Sequence, residues 1–192
     1  MEARLGRYEQ ARAVGEKAMR LSEAIGAERA CFVVAGNLME FALEQGDVDG
    51  AVQVGRRLAQ RLRDNSNFDV RAYVLGLMAT ALIWRGDLEG ALTVARQAAP
   101  LLRDEGMLFT LFDQLALRAG LAGRHADAAR IIGYTNAVYR GLDRPREPVA
   151  QSAEDRVMKL LAAALPADAI AQFAREGEAL SEDQVLVLAL KD

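Results

Sequence analysis

A short segment returns along this chain at a nearly fixed interval. Gly46-Asp47-Val48-Asp49-Gly50-Ala51 recurs forty residues later as Gly86-Asp87-Leu88-Glu89-Gly90-Ala91. Gly6-Arg7-Tyr8-Glu9-Gln10-Ala11 stands forty residues before the first of these, and Gly123-Arg124-His125-Ala126-Asp127-Ala128 follows thirty-seven after the second. Four copies at nearly constant spacing indicate stacked helix pairs, because one such unit cannot bury its apolar face alone. Within each copy a glycine closes one helix, where a left-handed backbone suits a residue without Cβ. An acidic residue then opens the next helix in the central copies, where free amides and the helix dipole favour it. Asp47 and Asp49 open a segment that closes with Arg56, Arg57, Arg61 and Arg63, and Asp87 and Glu89 open one that closes with Arg96 and Arg103. Negative charge first and positive charge last is the order the dipole prefers.

These turns predict second helices starting near 8, 47, 87 and 125, with longer apolar helices over 28–45, 68–85 and 107–122 between them. Ser66-Asn67-Phe68-Asp69 reads as a capping box for the middle one. Val48, Ala51, Val52, Gly55, Leu58, Ala59 and Leu62 recur at three and four, as one apolar stripe. Composition agrees: aromatics make up 6% and prolines number 4, while Ala, Leu, Arg and Glu are helix formers. Alternating β-branched runs, from which a sheet would be built, are nearly absent. Gly36 and Gly76 are forty apart, as are Ala51 and Ala91, with Ala128 at the same place in the last copy. Close helix approach explains a repeated mid-helix glycine; inheritance from an ancestral repeat is the other reading.

After Arg140 the pattern changes. The stretch 141–148 holds two prolines and reads as an ordered connector. Ser152-Ala153-Glu154-Asp155 reads as a capping box, Pro166 suits a first helical turn, Gly177 breaks the chain, and Ser181-Glu182-Asp183-Gln184 caps a last apolar helix. The expected organisation is therefore helical repeats over 1–149 and a cap of three shorter helices over 150–192, packed on the repeats.

Other readings narrow the function. The net charge of −3 comes from 24 basic and 27 acidic side chains, without the basic excess that backbone binding to nucleic acid favours. Cys31 is the single cysteine, beside Phe32 and Val33, and reads as a small buried hydrophobe. No eighteen-residue apolar run and no apolar N-terminal signal are present, so a cytoplasmic location without membrane insertion is expected. His125, the single histidine, sits at a turn with no partner motif, and a phosphate-binding loop is missing. Neither an enzyme nor a cofactor or metal site is expected.

The register of Ala51, Ala91 and Ala128, with Met39, Ala79 and Ala116 twelve positions before them, resembles tetratricopeptide repeats. That resemblance implies an all-α, right-handed solenoid of antiparallel helix pairs with a short C-terminal helical cap. It also implies an inner groove lined from the first helix of each pair by Glu40, Glu44, Tyr73, Thr80, Trp84, Asp113 and Leu117. Trp84 is an attractive recognition anchor there, and burial against the next repeat is its equal alternative. The final third, with Ala128-Ala129-Arg130-Ile131-Ile132-Gly133, Arg140, the proline-containing connector, Ala179-Leu180-Ser181 and the run 185–190, resembles the C-terminal helical-repeat part of large bacterial ATPase-type transcriptional regulators. The expected function is a protein- or peptide-binding scaffold or sensor module associated with transcriptional regulation, with a small-molecule effector domain as the alternative. Because the first copy starts at its second helix, Leu5, Tyr8, Leu21 and Ile25 lack the usual neighbouring layer. Either the chain continues into preceding sequence or a second copy covers that face, giving a homodimer.

Overall fold

The computed structural model describes residues 8–63 and 68–192. Among these residues are ten α-helices and no strand: α1 (Tyr8–Ala24), α2 (Glu28–Glu44), α3 (Val48–Arg63), α4 (Phe68–Arg85), α5 (Leu88–Asp104), α6 (Phe109–Leu121), α7 (His125–Leu142), α8 (Pro148–Ala164), α9 (Ala167–Glu178) and α10 (Glu182–Ala189). No helix among the described residues is long and apolar enough to cross a membrane. Leu5, the side chains of Tyr8, Ala59 and Leu62, and the 66–69 capping box lie outside what is described.

The repeated segment works as a turn and a cap together. Gly46, Gly86 and Gly123 have φ of 78°, 89° and 77°, the left-handed region in which a Cβ is strained. After Gly46 and Gly86 the next residue caps the following helix with its side chain. The Asp47 carboxylate accepts from the Gly50 amide at 3.0 Å, and Asp87 accepts from Gly90 at 2.9 Å. A Cβ at Gly50 or Gly90 would overlap that carboxylate, so the aspartate and the second glycine of the motif belong together.

The chain forms two compact units, Met1–Glu105 and Gly106–Asp192. This division falls before α6 rather than near residue 149, because α8, α9 and α10 pack on α6 and α7 and share their core. In the first unit each helix packs on the next in sequence, and α2 also packs on α4. Ala51 and Ala91 are fully buried at these crossings, as is Cys31. The two repeated glycines differ. A Cβ on Gly36 would overlap the Tyr73 ring, whereas one on Gly76 would meet only a Leu102 methyl at 3.8 Å, an ordinary contact. Close approach accounts for Gly36 but not for Gly76.

In the second unit α7 is central and packs on α6, α8, α9 and α10. Its crossing with α9 is made by glycine on both sides. A Cβ on Gly133 would collide with the Ala174 carbonyl, and one on Gly177 with the Arg130 carbonyl. Gly177 therefore lies inside α9 as a crossing point and does not break the chain. The box at Ser152 is not used either. Helix α8 starts at Pro148, whose missing N–H is no loss in a first turn, and its 17 residues equal α2 in length. The capping box at Ser181 does form: its hydroxyl accepts from the Gln184 amide at 3.3 Å, and its own amide donates to the Gln184 side chain at 2.9 Å.

Candidate functional site

Helices α2 and α4 bring two of the expected groove residues together. With no side chain on Gly36, the Tyr73 ring lies against α2, and its hydroxyl donates to Glu40 at 3.0 Å and to Asn37 Oδ1 at 3.5 Å. Tyr73 and Glu40 are half-buried and Asn37 is exposed, so an aromatic edge and a carboxylate stand at the surface in fixed geometry. Glu44, one turn beyond Glu40, and Trp84, three turns beyond Tyr73, are also half-buried. Thr80 is buried, its hydroxyl donating to the Gly76 carbonyl at 3.0 Å, and so does not reach the surface.

Asp113 and Leu117, expected on the same groove, are instead fully enclosed in the second unit. Every residue from Leu111 to Gly120 is buried, since α6 packs against α7, α8 and α10. The Asp113 carboxylate is taken up by the connector: Arg146 donates to it at 2.9 and 3.1 Å, and the Thr135 hydroxyl at 2.9 Å. Arg146 also donates to Asn136 at 2.7 Å, pairs with Glu154 at 3.4 Å, and stacks over the Tyr139 ring at 4.5 Å. Burial pushes the Asp113 carboxyl above the usual aspartate value, while Arg146 and Thr135 pull against it. Burial likewise pushes the Tyr139 hydroxyl up to about 12. These groups form an internal clamp between α6, α7, α8 and the connector.

Sequence reasoning missed this clamp and a second set of arginines. At Arg124 the repeated motif departs from its pattern, putting a cation where Asp47 and Asp87 cap. Arg124 pairs with Asp127 at 3.2 Å and donates to the Leu188 and Lys191 carbonyls at 3.0 and 3.2 Å, and Arg118 reaches the Lys191 carbonyl at 2.7 Å. The carbonyls at the end of α10 are thereby satisfied by side chains. Arg130 pairs with Glu176 at 2.7 Å and Arg140 with Glu178 at 2.8 Å, fastening α9. The departure of Gly123-Arg124 from Gly-Asp was the available signal. His125 is half-buried at the start of α7, and no cluster of three or more metal-ligating side chains occurs among the described residues.

On α1 Leu21 is 56% exposed and Val14, on the same stripe, 65%, and Ile25, just past the end of the helix, is 78% exposed. No protein-family profile, curated protein or solved structure matches the chain.

Proposed function

We propose that the chain is a protein- or peptide-binding scaffold or sensor module whose recognition face is built on α2 and α4. The observation that carries this reading is the Tyr73–Glu40–Asn37 cluster, a half-exposed aromatic and carboxylate locked by hydrogen bonds on adjacent, directly packed helices. Rigid aromatic edges beside polar groups are effective anchors, because little side-chain entropy is lost when a partner docks. The forty-residue period, the alternating turns and the contact between α2 and α4 support tetratricopeptide-like stacking in a right-handed solenoid. With the features of the final third, they support a place in a cytoplasmic bacterial transcriptional regulator of the ATPase type. Binding, not catalysis, is the role in this reading. Proximity labelling in the native host, comparing the natural chain with Glu40→Arg/Tyr73→Ala, tests it. Loss of specific neighbours in the variant is expected; an unchanged neighbour set contradicts the reading.

Self-association through α1 is the second part of the proposal, favoured by the Val14, Leu21 and Ile25 stripe. Sedimentation over a concentration range should show a dimer that Leu21→Asp weakens while helicity is retained. A monomer at all concentrations removes this part alone.

A further inference from the structure

A cleft opens on the opposite side of α2 from Tyr73. Helix α2 packs against both α1 and α3, which do not pack extensively on each other, and the space left between them encloses about 370 Å³. That volume lies in the range of small-ligand sites. Its floor is apolar: Met19, Leu38 and Ala42 are buried, and Val54 closes the α3 side. The helical period places Leu38 and Ala42 on the face of α2 opposite Gly36 and Glu40, so the cleft is independent of the recognition face proposed above.

Charge is distributed unevenly along its rim. At one end Glu16 and Asp47 share a single guanidinium, Arg12, which lies 3.1 Å from the first and 4.0 Å from the second. That end carries one excess negative charge. At the other end Arg57 pairs with Glu23 at 3.3 Å, and Arg20, two turns along α1 from Arg12, has no acidic partner among the described residues. The described side chains there carry one excess positive charge. Along α1 Glu16 and Arg20 are four residues apart, about 6 Å, and along α3 Asp47 and Arg57 are ten apart, about 15 Å, so the termini of a two- or three-residue extended peptide, about 7–10 Å apart, fall within the span from the acidic to the basic groups.

We propose that this cleft binds a short apolar peptide with free termini. The ammonium group sits against Glu16 and Asp47, the carboxylate accepts from Arg20 and Arg57, and aliphatic side chains cover Met19, Leu38 and Val54. A zwitterion of this length satisfies both ends at once, which a simple fatty acid or amine does not. The rim groups are partly exposed, so each terminal charge contributes modestly and discrimination rests on having both.

The test is an NMR titration of the isotope-labelled chain with trileucine, its N-acetyl form and its C-terminal amide. With about 5 mM trileucine, enough to fill most of a millimolar site, shifts are expected at Met19, Leu38 and Val54 and not at Tyr73. Capping either terminus should weaken binding by about fivefold, the effect of one partly exposed ion pair. Arg20→Gln, a change on an exposed helix surface, should reduce the difference between free acid and amide, and Arg20→Gln/Arg57→Gln should erase it, while the acetyl effect persists. No shifts at the cleft, equal binding of the three peptides, or a double variant that still favours the free acid would each overturn the proposal.

Discussion

Helices α2 and α6 hold equivalent places in the forty-residue register, yet their surroundings differ. Helix α2 lies among α1, α3 and α4 and keeps Asn37, Glu40 and Glu44 at least partly in solvent. Helix α6 packs on α7, α8 and α10, and the residues that match Asn37 and Glu40, namely Gln114 and Leu117, are buried, as is Asp113 beside them; only Leu121, at the place of Glu44, is exposed. Contacts between neighbours in sequence hold the first unit together, through capped turns and alanine crossings. Arginines and paired glycines that join residues far apart in the chain hold the second. A repeat surface therefore stays in solvent only where the chain does not cover it with its own later helices.

The largest expected effect is on the clamp. Asp113→Ala leaves Arg146 buried without its main counter-ion, and breaking a buried pair from one side typically removes about 3–5 kcal/mol. Urea denaturation followed by hydrogen exchange should show the loss in α6–α8, with α2 and α4 little affected; uniform loss would blur the distinction between the units. Next comes Gly133→Ala, which sets a methyl group against the α9 backbone and should destabilise by about 3 kcal/mol, the upper end of ordinary overpacking, since no flexible side chain can yield. Ala91→Leu at the fully buried α4–α5 crossing should cost about 2 kcal/mol by the same route, read as a lower denaturation midpoint. The smallest and sharpest comparison is between two glycines at one repeat position. Gly76→Ala should stabilise the chain by about 0.5–1 kcal/mol through helix propensity, while Gly36→Ala should displace Tyr73 and destabilise it. Equal effects in thermal denaturation would show that the Tyr73 contact does not distinguish them.

Much of the first unit was legible because its determinants are local. The glycine turns, the aspartate caps and the apolar period each lie within a few residues, and the helix starts at Val48, Leu88 and His125 follow from them. Glu40 and Tyr73 were both placed on the expected groove, while their hydrogen bond, across thirty-three residues, becomes visible only when α2 and α4 are seen in contact. The second unit was less legible because its determinants are distant in sequence. Nothing near Asp113 announces Arg146, and a groove register by itself placed that carboxylate in solvent. Gly177 read as a break because a glycine that ends a helix and a glycine that admits a neighbouring backbone look alike in sequence. Its reciprocal partner, Gly133, becomes visible only when α7 and α9 are seen to cross.

Site-specific photo-crosslinking tests most directly whether the open face of α2 and α4 is the recognition surface. A benzophenone amino acid is placed at Asn37 in the first unit or at Leu121 in the second, both exposed, and irradiated in the native host. The account predicts a protein adduct of defined mass from Asn37 that disappears with Glu40→Arg, and none from Leu121. Adducts from Leu121 alone, or from both positions regardless of Glu40, would contradict it.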